Sequence, residues 1–284
     1  MTKYPLATLE EYGYKDTRKL KKVLLILRKV FVSIIVASLY IPIVILLLQS
    51  VNSSSNINQF ESFTLDWYFN MFANRSLKNA ILNTLLTSFI ATLLATIFGT
   101  LMAIGIHALS KKKRAQVVLL NNIPILNADI VSGISLMLIF SLLLPVFPYI
   151  FGPFTLILAH LFFTMPYVVL SVLPKLKEMD PNLMDAALDL GIKPYKALIK
   201  VIVPAILAGI FSGMLLALTM SIDDFVISYY TTGNGFDNLS IWIYGSIGRK
   251  SLTPSVYAFS TLLTLTTLIL LTVYQVFIKK GKKK

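Results

Sequence analysis

Three carboxylates stand in stretches that are otherwise apolar: Asp129, Asp223 and Asp224. An ionised group at the centre of a bilayer costs roughly 2.5 to 3.5 kcal/mol on insertion scales, so an acid in such a place is by default a functional-site candidate. No Lys or Arg lies within the apolar runs to pair with them. A cationic ligand, a water-filled cavity or protonation would each make them tolerable. Asp223 and Asp224 are neighbours, and on a helix adjacent side chains point about 100° apart, so one of the two faces a pathway. Ser221 and Ser228 share a face with Asp224, whereas Met220 and Ile227 accompany Asp223; the polar set favours Asp224. Asp129 follows Asn127 and an interruption at Pro124. Asn127 or Asp129 either caps the helix that follows or joins the pathway.

Other chemistry is thinly represented. His107 reads as a hydrogen-bonded interfacial histidine, and His160 as a packed or paired one, because no second His, Cys or acid stands at metal-ligand spacing. No metal and no cofactor are implied. Cysteine does not occur, which excludes disulfides and thiolate chemistry. No G-x4-G-K-[ST] phosphate loop exists, so the chain does not itself hydrolyse ATP. Without a nucleophile triad or a catalytic carboxylate pair, a transport role outranks an enzymatic one.

The elements that must position the acids are membrane helices. Hydrophobic residues make up 56% of the 284 and charged residues only 14%, against about a quarter charged in an average soluble domain. About 20 apolar residues cross a bilayer as helix, and six runs qualify, at about residues 30–51, 80–109, 118–144, 154–173, 201–226 and 256–278. The expected fold is all-α. With six spans and the N-terminus inside, 22 of the 26 Lys and Arg fall in cytoplasmic segments and only Arg75, Lys78, Arg249 and Lys250 outside. That asymmetry puts both termini in the cytoplasm, and it explains the net charge of +13 without a nucleic-acid surface. Residues 1–29 form an inner-surface lead with a short interfacial helix from Thr17, and are too long and charged for a cleavable signal. Residues 30–278 form the membrane domain and residues 279–284 a basic tail.

Within that domain, Gly99 and Ala103, and again Gly209 and Gly213, have the small-xxx-small spacing that lets helices approach closely in lipid. The third run is broken around Asn121, Asn122 and Pro124. Trp67 and Tyr68 either sit at headgroup level or pack a core.

One inter-helical segment, residues 174–200, carries a second pattern. Leu183, Ala186, Ala187 and Leu190 share a helical face, Gly191 follows where a helix C′ residue belongs, and Pro194 can open the next helix. The order Asp185, Ala186, Ala187, Gly191, Val201, Pro204 resembles the Glu-Ala-Ala loop of ABC-importer permeases, with Asp185 in place of Glu. The resemblance implies a type I importer permease whose loop, through Asp185, Ala186, Ala187, Gly191 and Pro204, couples to a separate ATPase. An amphipathic connector lying on the inner leaflet is the competing account.

The run from Ser221 to Ser228, followed by aromatics and Thr232-Gly233, is similar to the second permease subunit of spermidine/putrescine importers. This resemblance covers about residues 30–278. It implies a polyamine importer working with a second permease subunit, two ATP-binding subunits and an extracytoplasmic polyamine-binding protein. Asp223, Asp224 and Asp129 would then stand in the substrate pathway. Two alternatives remain: an importer of the same architecture for another solute, and a secondary transporter in which Asp223 or Asp224 carries a proton.

Overall fold

A computed structural model describes residues 17–54, 56, 59–71, 73–233, 235–247 and 254–281. The first sixteen residues of the expected lead and the last three of the basic tail lie outside them. The described residues are helical, with one isolated antiparallel bridge between Asn52 and Phe63. Two compact units are present, residues 1–71 with 252–284 and residues 72–251.

In the first unit, helix α1 (Thr17–Ser50) runs without interruption for 34 residues. The separate interfacial helix expected from Thr17 is thus the first turns of the first span itself. No breaker stands between Leu20 and the apolar run, so the helical ladder simply continues. After α1 the chain turns around Asn52, which is fully buried. Its amide donates to the Gln59 carbonyl at 2.8 Å and its Oδ1 accepts from the Ser54 and Glu61 amides. The short helix α2 (Asp66–Asn70) follows. Trp67 Nε1 donates to the Asn52 carbonyl at 2.7 Å, and the Tyr68 hydroxyl meets Ser50 Oγ at 2.7 Å. Both aromatics therefore anchor this turn.

The second unit is built on three helices. Helix α3 (Arg75–Ala108) is capped by Asn74, whose Oδ1 accepts from the Ser76 and Leu77 amides. At its other end the Arg114 guanidinium donates to the His107 and Leu109 carbonyls. The His107 ring, expected to be hydrogen-bonded, instead keeps a buried Nδ1 with no partner among the described residues. Its backbone carbonyl, not its ring, meets the arginine. Next come α4 (Lys111–Asn121), the single turn α5 (Ile123–Leu126) and α6 (Asp129–Ser141), so the third apolar run is split twice. Helix α7 (Pro153–Glu178) then passes through the centre of the unit.

The glycine spacings explain how α7 packs. A Cβ on Gly99 would sit 2.8 Å from Val168 Cβ, and one on Gly213 would sit 2.9 Å from Val168 Cα. Lipid tails are as apolar as the side chains, so close packing and not the hydrophobic effect holds such helices together. The small residues on both flanking helices let fully buried Val168, Val169 and Val172 of α7 form the core.

Beyond α7 the chain forms α8 (Leu183–Asp189), α9 (Pro194–Ala197), a π-helical turn at Leu198–Ile202 and the short α10 (Val203–Ala205). Helix α11 (Leu207–Asp223) leaves at 73° to the Pro194–Ala205 segment. The fifth apolar run was expected to be straight from Val201. Pro204 lacks the N–H that would bond back to the preceding turn, which is π-helical; the bend itself comes after it, at Ile206. The straight part is then 17 residues, or about 26 Å.

Helix α12 (Val226–Thr231) packs on Gly133 of α6, and α13 (Leu239–Ile247) returns to the start of α3. There the Leu239 amide donates to Thr84 Oγ1 at 2.7 Å, and Trp242 Nε1 donates to Ser76 Oγ at 2.8 Å. In the first unit, α14 (Pro254–Gly281) packs with α1 and α2.

Each expected span thus falls on helix, though not as six equal rods. Three helices among the described residues are long and apolar enough to cross a bilayer, and the bent pair makes a fourth. Asp129–Ser141 and Pro254–Ile269 are shorter apolar helices at the places of the third and sixth runs.

Candidate functional site

The site begins where α11 stops. Asp223 is its last residue, and Asp224 turns extended at ψ 129°. The carboxylate of Asp224 then serves the next helix: its Oδ2 accepts the Ser228 amide at 2.7 Å and its Oδ1 the Ile227 amide at 3.4 Å. A carboxylate at the first turn of a helix satisfies N–H groups that have no intrahelical partner. The helix is therefore broken between the two acids, and the 100° divergence expected for helical neighbours does not apply. Both acids line the same cavity.

That cavity encloses about 290 Å³. Asp129, at the first turn of α6, reaches it as well, so all three carboxylates converge. No side-chain hydrogen bond caps α6, which removes the capping role considered for Asp129 and Asn127. The Asn127 amide instead donates to Ser132 Oγ at 3.3 Å. Phe163 and Tyr167 from α7, Phe225 from the break and Pro124 from the interrupted run complete the wall, and no Lys or Arg is among the lining residues. The side chain of Asp224 is 8% exposed, whereas Asp223 and Asp129 are exposed.

The lining has the chemistry that suits an organic cation. Carboxylates offer charge-assisted acceptors to an ammonium group, and the aromatic faces add about 0.5 to 2 kcal/mol each when a cation lies over them. The three acids form no metal-holding group among the described residues, either by themselves or with His or Cys. Phe163, Tyr167 and Phe225 were not singled out in the sequence, where nothing separates them from ordinary apolar positions. Next to the cavity, the Phe225, Tyr229 and Tyr244 rings pack with centroids 4.8 to 5.9 Å apart.

His160 of α7 is 1% exposed and paired, as its isolation from other ligands implied. Its Nδ1 lies 2.6 Å from Ser221 Oγ and its Nε2 lies 2.9 Å from Ser228 Oγ.

The other predicted site lies around α8, away from the cavity. Gly191 has φ +73°, its amide donates to Leu188 O, and the Ile192 amide donates to Ala187 O at 3.1 Å. These two bonds are a Schellman stop, which needs a left-handed residue at this position. Asp185 and Ala186 are exposed, but Ala187 is buried against the chain's own core at 5% exposure. The surface open to another protein is therefore formed by Ala186 with Leu190, which is 81% exposed, rather than by the alanine pair. Pro204 lies within the bent arm and does not open the membrane helix.

A family model described as the binding-protein-dependent transport system inner membrane component matches residues 95–283. The chain is 33% identical over 255 residues to the spermidine/putrescine transport system permease protein PotC of Haemophilus influenzae, covering 90% of this chain and 97% of that one. It is 30% identical over 228 residues to the putrescine transport system permease protein PotI of Escherichia coli, covering 79% and 81% respectively. Among solved structures, a bacterial ABC transporter involved in the import of the acidic polysaccharide alginate superposes with a TM-score of 0.66. That match covers 94% of this chain and 99% of that one at 14% identity, so the likeness is one of fold.

Proposed function

The chain belongs to the family of inner membrane components of binding-protein-dependent transport systems, and on that premise we propose that it is the permease subunit through which an ATP-driven importer carries a polyamine, spermidine or putrescine. One observation carries the choice of solute. Three carboxylates and three aromatic rings meet in one cavity whose lining holds no cationic side chain. An extended polycation supplies the missing charge at several points along its length, which a sugar or an anion does not. The names of the similar permeases point to the same class of solute.

In this reading a second permease subunit completes the pathway, two ATP-binding subunits drive it, and an extracytoplasmic binding protein delivers the polyamine. The exposed Asp185-Ala186 edge of α8, with Leu190 and the Gly191 stop, is the surface on which an ATP-binding subunit docks. Pro204 sits in the arm that joins this surface to α11. Both termini face the cytoplasm, supported by the 22 to 4 partition of Lys and Arg.

The test is uptake of labelled spermidine by vesicles containing the complete complex. Uptake should require ATP, persist when the proton gradient is collapsed, and be competed by putrescine but not by a neutral sugar or an anion. Uptake by this chain alone under a pH gradient would sink the ATP-driven assignment, and competition by the sugar would sink the choice of solute.

A further inference from the structure

Between α11 and α12 the helical ladder is interrupted at Asp224 and Phe225, so side chains must fix the angle of the break. His160 spans it. Ser221 lies three residues before Asp224 and Ser228 four residues after it, and the two ring nitrogens of His160 contact these hydroxyls at 2.6 and 2.9 Å. Nε2 also lies 3.7 Å from Asp224 Oδ2, the oxygen that caps α12. Hydroxyls both donate and accept, so either neutral imidazole tautomer is matched at both ends.

The bridge is itself anchored on two sides. Thr164 Oγ1 donates to the His160 carbonyl at 2.6 Å within α7, and Ser88 Oγ of α3 donates to the Ser221 carbonyl at 3.0 Å. One turn along α7, Phe163 packs edge-on against the His160 ring with centroids 5.3 Å apart, and it lines the cavity. An apolar ring would fill the same space. What the imidazole alone contributes is the connection across the break.

We propose that His160 is a positioning residue: it ties Ser221 to Ser228 across the break and so fixes where Asp223 and Asp224 present their carboxylates, which sets the spacing between cationic groups that the cavity accepts. The ligand in this statement rests on the polyamine reading; the bridge does not.

The decisive variant is His160→Phe, which keeps an aromatic ring and removes both nitrogens. In the complete complex, uptake of labelled diamines of increasing chain length should lose its length preference. KM for the preferred diamine should rise about tenfold, the size expected for two neutral hydrogen bonds, with kcat per assembled complex unchanged. His160→Gln, which keeps a donor and an acceptor, should recover part of the preference. Ser221→Ala and Ser228→Ala, each cutting one end, should raise KM about threefold to tenfold, and they supply the same readout should His160→Phe fail to assemble.

A ligand-free arm uses the absence of native cysteine. Spin labels at Thr219→Cys on α11 and Tyr229→Cys on α12 should give a narrow distance distribution that broadens when His160→Phe is added. An unbroadened distribution, or a kcat that falls only in step with lost assembly while KM and length preference hold, overturns the proposal. Broadening in a complex whose unmutated form takes up no polyamine would remove the polyamine reading and leave the bridge standing.

Discussion

Replacing Asp224 by alanine tests its cap on α12, and replacing Asp223 and Asp224 one at a time by asparagine tests the proposed ligand contact. The change to asparagine is nearly isosteric and removes one negative charge. Asp223 is exposed at the cavity wall, so Asp223→Asn should leave the fold intact. It should cost one charge-assisted contact to the ligand, about 1.5 to 3 kcal/mol, and lower uptake at limiting substrate by roughly one to two orders of magnitude. Asp224 lines the same wall but also caps α12 through the Ser228 and Ile227 amides. An asparagine there keeps a carbonyl acceptor that caps as well as a carboxylate, so Asp224→Asn should show the same transport defect with stability retained, whereas Asp224→Ala, which removes the cap, should also lose about 1 kcal/mol. The assay is labelled spermidine uptake against concentration, with complex levels fixed by pull-down and thermal unfolding followed in detergent. Equal melting temperatures for Asp224→Ala and Asp224→Asn would refute the capping role. Wild-type uptake by the double variant would dispose of the cavity as the substrate site.

At the coupling surface, Ala186→Glu alters an exposed position and should abolish co-purification with the ATP-binding subunit while membrane insertion stays normal; retention of that subunit and of uptake would refute the assignment. Gly191→Ala meets no atom within 4 Å yet holds φ +73°, so it should destabilise the α8 stop by about 1 kcal/mol, read as faster amide exchange at Ile192. Gly213→Leu would drive a side chain into the Val168 backbone, and the overpacking should cost about 1 to 3 kcal/mol, seen as a lower melting temperature; an unchanged value would mean that α7 and α11 are not in close contact.

The helical class, the break near Pro124 and the close approaches at Gly99, Gly209 and Gly213 were legible because each depends on local composition or on spacing along one helix. The Gly191 stop was legible for the same reason. The cavity was not, since Asp129 is about a hundred residues from Asp223 and only the packing of α6 and α12 brings them together. The break at Asp224 carried a signal that apolar continuity concealed: an aspartate ahead of a short helix is a favoured N-cap. Reading residues 201–226 as one rod set Asp223 and Asp224 on diverging faces, and the cap reverses that. The burial of Ala187 was not legible, because sequence spacing gives a helix face but not what covers it.

The 73° corner at Ile206 makes the Pro194–Ala205 segment a crank. Its 12 residues span about 18 Å at the rise of an α-helix. Since the cosine of 73° is about 0.3, a push along this arm delivers less than a third of its travel along the α11 axis; nearly all of it swings α11 sideways. The pivot is enclosed from the other side, where Ile206 is fully buried and a Cβ on Gly209 would sit only 2.8 Å from Lys175 Cγ of α7. Force arriving at the α8 end of the crank therefore reaches Asp223 as a tilt of the helix that carries it, and not as a sliding of that helix through the membrane.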